Sequence, residues 1–107
     1  MNEEQVKVIL ESKIASLTAS ANKGEKRQGL ITGTTIMGAC SPGKINFTYT
    51  TNKSHTWIAA FLKNHGFKRG RHDKRVIQGQ KLRAFTKVVD EEKERKFNIE
   101  EYGKYKP

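Results

Sequence analysis

A chain of 107 residues, 35% hydrophobic and 30% charged, holds enough apolar material for one domain with a small core and excludes a large multidomain enzyme. Its formal charge of +10 points to a polyanionic partner, of which nucleic acid is the commonest. No apolar run approaches the roughly 18 residues of a membrane-spanning helix, and the single cysteine, Cys40, leaves no partner for an intrachain disulfide.

The opening MNEEQ is acidic and polar, unlike a secretory signal, and with the lone cysteine it sets the expectation of a cytoplasmic protein. Asn2 can cap a first helix, with Gln5 at the N3 position of a capping box and Glu3 and Glu4 in the turn that the helix dipole favours. Val6, Ile9, Leu10, Ile14 and Leu17 follow at helical spacing, which predicts a core helix ending near residues 20–22. The connector Lys23-Gly24-Glu25-Lys26-Arg27-Gln28 is polar and adds a small basic cluster.

Residues 29–40 are rich in strand formers (Leu30, Ile31, Thr32, Thr34, Thr35, Ile36), with Gly33 and Gly38 marking bulges or close backbone approach. Ser41-Pro42-Gly43-Lys44 carries Pro and Gly at the two central positions of a type II turn. Ile45 to Thr50 then alternates, with Ile45, Phe47 and Tyr49 inward, so residues 29–50 predict a hairpin. Ser54 is a candidate N-cap for a second helix bearing Trp57, Ile58, Phe61 and Leu62. Gly66 ends that helix, placing Leu62 and Phe67 as the apolar pair of a Schellman motif. Burial of Trp57, Phe61, Leu62 and Phe67 contributes roughly 1.5–3 kcal/mol each, so this helix is expected to anchor the core.

The charge is concentrated just beyond it. Nine Lys or Arg lie between Lys63 and Lys87 against one acid, Asp73, so this segment carries +8 of the chain's +10. Lys68 to Arg75 contains no apolar residue and reads as a solvated loop or strand start. Val76 to Val88 predicts a second hairpin. A turn at Gly79-Gln80 sets Ile77 opposite Leu82, with Ala84 and Val88 on the apolar side. Gln78, Lys81, Arg83, Phe85 and Lys87 then share the basic side; a turn at Gln78-Gly79 would scramble this alternation. From Asp90 the chain reads as a charged helix anchored by Phe97 and Ile99.

The predicted fold is therefore α+β, a single small domain over residues 1–101 in the order α-β-β-α-β-β-α with two β-hairpins, and residues 102–107 form a flexible tail. No catalytic or cofactor-binding set stands out. Gly38 to Lys44, GACSPGK, fits G-x-x-x-x-G-K, but Ile45 stands where a phosphate-binding loop needs Ser or Thr, and a strand follows where that loop needs a helix. Cys40, His55, His65 and His72 match no zinc-ligand spacing, so no metal is expected. His72 beside Asp73 is the one local acid–base pair, which leaves a small metal-independent ribonuclease as a minor alternative.

The stretch FLKNHGFKRGRHDKRVIQGQKLRAF, with Arg75, Gly79, Arg83 and Phe85, resembles the C-terminal winged-helix region of phage and plasmid primase-helicases. That resemblance spans residues 54–89 and implies a winged-helix-like fold with a DNA-binding wing at Lys74, Arg75, Lys81 and Arg83. The helix–Gly–Phe–strand order also resembles HicA-type toxin ribonucleases, although the Gly-Ser-His context of their catalytic histidine does not occur here. The expected function is nucleic-acid binding, with DNA favoured over RNA, for a protein of phage or mobile-element type. Lys68, Arg69, Arg71, Lys74, Arg75, Lys81, Arg83 and Lys87 are expected on phosphates and Phe85 stacked on a base. The alternative from another class is a phage-type inhibitor, similar to anti-CRISPR proteins, whose basic face docks an acidic or nucleic-acid-binding host protein.

Overall fold

The first helix starts where the sequence places it. Asn2 Oδ1 accepts from the Gln5 amide at 2.9 Å and Gln5 Oε1 accepts from the Asn2 amide at 3.0 Å, completing the capping box. The computed structural model describes residues 2–51, 53–70 and 82–103. Helix α1 (Glu3–Asn22) buries Leu10, Leu17 and Ala21, with Val6, Ile9 and Ile14 packed along their flank.

Three strands follow where a two-stranded hairpin is expected: β1 (Arg27–Leu30), β2 (Met37–Ser41) and β3 (Lys44–Thr50), paired antiparallel in sequence. The run 29–40 is not one bulged strand, because the chain reverses within it. The Ile31 amide donates to the Ile36 carbonyl at 2.9 Å, and the Thr34 hydroxyl donates to the Ile31 carbonyl at 2.8 Å. Gly33 is a turn residue, with φ of 78°. Gly38 is a site of close approach, as expected: a Cβ there would sit 3.2 Å from Leu17 and 3.3 Å from Phe47. The alternation of β3 holds, with Ile45, Phe47 and Tyr49 all buried.

A 3-10 turn (Lys53–His55) precedes helix α2 (Ile58–Asn64), so Ser54 lies inside that turn and Trp57 occupies the N-cap position without a side-chain cap bond. The C-terminal stop follows the expected pattern. Gly66 has φ of 87°, its amide donates to Lys63, and the Phe67 amide donates to Leu62 at 3.0 Å, the two bonds of a Schellman ending. Phe67 then packs against Phe47, ring centres 5.4 Å apart.

The chain next forms β4 (Lys68–Arg69) and, after residues 71–81, β5 (Leu82–Val88). The sheet order is β1-β2-β3-β5-β4, all antiparallel, so β5 inserts between β3 and β4. The outer neighbour of β5 is not the segment expected. Phe85 faces Arg69 and Thr86 faces Lys68, whereas a register with Ile77 opposite Leu82 would have set Phe85 against Lys74. The predicted first arm, Val76 to Gln78, lies outside the described residues.

Helices α1 and α2 cover one face of the sheet, in a single cluster with Ile36, Cys40, Ile45, Phe47, Tyr49 and Phe85. Helix α3 (Glu91–Gly103) lies against the other face, where Phe97 borders a shallow depression with Gln28, Ala39 and Ser41. Lys26 sits over the Phe97 ring at 4.7 Å. Ile99, expected as a second anchor, is 65% exposed, so α3 is held by Phe97 and its capped start. Asp90 Oδ1 accepts from the Lys93 amide at 3.0 Å, and that bond holds the Asp90 carboxyl below its ordinary pKa. The described residues thus form a small α+β unit of three α-helices and a five-stranded antiparallel sheet, in the order α-β-β-β-α-β-β-α rather than the one expected.

Gly43 joins the layers. Its amide donates to Ala21 at the end of α1, and its carbonyl accepts from Val89 and Asp90 at the start of α3. It has φ of 76°, and a Cβ there would collide with the Asp90 carbonyl oxygen and lie 2.6 Å from the Glu94 amide nitrogen. Gly43→Ala combines a left-handed non-glycine residue with a backbone clash and should cost upwards of about 2 kcal/mol. Calorimetry should show the melting midpoint lowered by about 10 °C; an unchanged midpoint would mean that Gly43 does not tie α3 to the hairpin.

Candidate nucleic-acid interface

The basic segment is attached to the sheet at one corner. Beyond Arg69 the Gly70 amide donates to the Ala84 carbonyl at 2.8 Å, so the chain leaves for residues 71–81 beside the strand by which it returns at Leu82. Gly70 is required there by space: a Cβ would lie 2.6 Å from the Thr86 Cγ2 methyl.

Of the expected phosphate-contacting residues, Lys68, Arg69, Arg83 and Lys87 are described, and Arg71, Lys74, Arg75 and Lys81 lie outside the described residues. Register places Arg69, Arg83 and Lys87 on the α1/α2 face of the sheet and Lys68 on the α3 face. Lys68 and Arg69 are exposed, and Arg83 and Lys87 are half-buried. Lys87 stands apart. It is four residues, about 13 Å, along β5 from Arg83, and its side chain lies against the Gly66 turn, with Cε 3.2 Å from where a Gly66 Cβ would be. The other three lie where β4 meets β5 at the side of the sheet, with Lys68 on one face and Arg69 and Arg83 on the other.

Phe85 does not belong with them. It is 1% exposed, stacked parallel on Tyr49 with centroids 6.2 Å apart, and part of the core. Burial leaves no ring face for a base, so its expected stacking role is withdrawn. Arg83, Phe85 and Lys87 do share one face of β5, with Ala84 and Val88 on the other, but the face that carries Phe85 is the one beneath the helices, while Val88 is 44% exposed.

The acids are elsewhere. Helix α3 carries Glu91, Glu92, Glu94, Glu100 and Glu101, and α1 carries Glu3, Glu4 and Glu11. Several of their ion pairs are local, such as Lys7 with Glu3 at 2.9 Å and Lys96 with Glu92 at 3.3 Å, while Glu101 on α3 reaches Lys26 at 3.4 Å. Among the described residues, no carboxylate pairs with Lys68, Arg69, Arg83 or Lys87.

One residue at this corner carries no functional mark in the sequence. Tyr49 is opposite Arg83 in the β3–β5 register and is 2% exposed, its hydroxyl buried beside the Arg83 guanidinium. Burial pushes its pKa up, opposed by the charge of the nearby Arg83, by a hydrogen bond from that side chain and, more weakly, by the charge of Arg69. Its place in the β3 alternation identifies it as a core residue; only the long-range pairing of β3 with β5 reveals the arginine beside it.

A separate cleft of about 550 Å³ lies between the start of α1, the 32–35 turn and the 3-10 turn, bordered by Val6, Thr35, His55 and Trp57. His55 Nδ1 is 2.8 Å from the Thr50 carbonyl, which makes it the donor and turns Nε2 toward the Thr35 hydroxyl at 3.4 Å. His65 is likewise committed to the Phe61 carbonyl at 2.9 Å, and Cys40 is buried with its thiol 3.5 Å from the Glu25 carbonyl. Among the described residues, no three His, Cys, Asp or Glu side chains are grouped to hold a metal ion. His72 and Asp73 are outside them.

Gly70→Ala should open this corner at a cost of about 1–3 kcal/mol through overpacking. Adding Thr86→Ser, which deletes the obstructing methyl, should recover most of that loss. Hydrogen exchange at residue 70 reads both effects; equal protection in wild type and Gly70→Ala would mean that the β4–β5 contact is looser than drawn. Comparison of this chain with protein-family models, with curated proteins and with solved structures found no match.

Proposed function

We propose that this protein binds nucleic acid along the β4–β5 edge of its sheet. The observation that carries this reading is the separation of charge. Lys68, Arg69 and Arg83 share an edge without acidic partners among the described residues, while α1 and α3 hold most of the carboxylates. Four more cations, Arg71, Lys74, Arg75 and Lys81, against Asp73 alone, lie in the segment tethered to that edge by Gly70 and Leu82. An unneutralised cluster of this kind repels itself within the fold, and a polyanion that displaces its counterions relieves the repulsion.

The local part of the winged-helix expectation supports the same reading: a helix closed by Gly66 and Phe67, a basic strand, and an antiparallel return strand beside it. DNA is favoured over RNA on that resemblance. Phosphate contact falls to Lys68, Arg69 and Arg83, joined by the charges of Arg71, Lys74, Arg75 and Lys81 from the adjoining segment. Lys87 is too distant to share their phosphates, and the buried Phe85 supports the strand from behind.

Neutralising about six phosphates predicts a ~10³-fold loss of affinity between 50 and 200 mM salt. Fluorescence anisotropy with single- and double-stranded DNA and RNA measures it. A salt-independent affinity would contradict the proposal. So would capture of one acidic protein with no binding of any nucleic acid, a result that would install the inhibitor reading instead.

A further inference from the structure

We infer that the free edge of β1 is a docking strip for an extended acidic peptide of a partner protein, which pairs with β1 as an added strand and sets a glutamate or aspartate against Gly29. β1 ends the sheet on the side away from the basic segment, so the inference stands apart from the nucleic-acid reading. Register decides which backbone groups are free. The Ile31 amide donates to the Ile36 carbonyl in the same register as the pairs Gly29–Gly38 and Arg27–Cys40. Hydrogen bonding alternates along an antiparallel strand, so Arg27 and Gly29 bond to β2 while the amides and carbonyls of Gln28 and Leu30 point outward. All four residues of β1 are exposed, Leu30 by 61%. The strand lacks the usual defences of an edge: it has no proline, one charge, and a glycine in place of a side chain that would block approach.

Charge complementarity names the occupant. In strand addition the main chain supplies affinity and alternate side chains supply specificity. Arg27 and Gly29 share the helix face with Cys40 and Gly38, while Gln28 and Leu30 are on the α3 face. Beside Gly29, between β1 and α1, lies a depression of about 110 Å³. The buried Leu17, Ile31 and Gly38 make its floor, and the exposed Lys13, Ser16 and Arg27 make its rim. A Cβ on Gly29 would meet nothing within 4 Å, so the way in from the edge is open. The side chain set opposite Gly29 by an added strand starts about 5 Å away and is the one that reaches this depression. Among the described residues, neither Lys13 nor Arg27 pairs with a carboxylate. Arg27 Nη1 donates to Ser20 Oγ at 3.3 Å, which draws the guanidinium toward α1 and leaves the rest of its donor fork for an anion. A carboxylate on a short apolar stem fits, its methylenes on Leu17 and its oxygens between Lys13 and Arg27. On the other face an apolar residue opposite Leu30 covers it. A second copy is the wrong occupant: its β1 offers no acid, and pairing would bring two chains of +10 together.

Two end-blocked peptides test this on the full chain: one alternating valine and threonine around a central glutamate, and the same peptide with lysine in that place. Followed by NMR, the glutamate peptide should shift the amides of residues 28–30 and slow hydrogen exchange at Gln28 and Leu30. The lysine peptide should bind at least about tenfold more weakly. Lys13→Glu, at an exposed position of α1, should weaken the glutamate peptide about fivefold and strengthen the lysine peptide. Equal binding of the two peptides, or binding indifferent to Lys13→Glu, would overturn the acidic class of partner. Neither peptide shifting residues 28–30 would overturn the docking strip itself. So would protection of Gln28 and Leu30 that grows with protein concentration alongside a dimer in sedimentation, which would give the edge to a second copy.

Discussion

The pairing of β3 with β5 is the constraint on which the rest of this molecule depends. Seven residue pairs, from Lys44–Val88 to Thr50–Leu82, join segments more than thirty residues apart and make one sheet of what would otherwise be a meander and a short basic strand. Its inner face carries Phe47 opposite Phe85, with Tyr49 stacked on the latter, so the seam is sealed by aromatic contact as well as by backbone hydrogen bonds. Helices α1 and α2 bury that face. The seam also brings Arg83 alongside Tyr49 and holds β5 in place for β4 to pair with its outer edge.

Local signals in the sequence were legible wherever a few adjacent residues suffice to decide the structure. The Asn2–Gln5 capping box, the Pro42-Gly43 turn, the inward alternation of Ile45, Phe47 and Tyr49 and the Schellman ending at Gly66 are all determined by neighbours in the chain. Two of the misreadings arise because local propensity does not distinguish the alternatives. A glycine in a threonine-rich run suits a bulge or a reversal equally, and at Gly33 hydrogen bonds between Ile31, Thr34 and Ile36 make the reversal. Phe85 sits between Arg83 and Lys87, so period-2 reasoning assigned it to a solvated basic face. Its burial follows from strands and helices remote in sequence.

The candidate site divides in the same way. Its charge was fully legible, since +8 between Lys63 and Lys87 is a count. Its arrangement was not. The described cations lie along an edge and on both faces rather than on a single face, and Lys87 is turned away against the Gly66 turn. Tyr49 had no signal of its own, because a buried tyrosine at an alternating position is ordinary core, and only the long-range pairing of β3 with β5 sets Arg83 beside it.

An edge strand is ordinarily protected by brevity and by charge. Here β4 is two residues long and both are cations, which defends the edge against pairing with another sheet. Mapping amide perturbations by NMR during titration with a short nucleic-acid duplex locates the binding surface most directly. Perturbations centred on Tyr49, Lys68 to Gly70 and Leu82 to Ala84 are expected, with α3 silent. Perturbations centred on α3 or on β1, with this corner unmoved, would contradict the assignment of the basic edge as the binding surface.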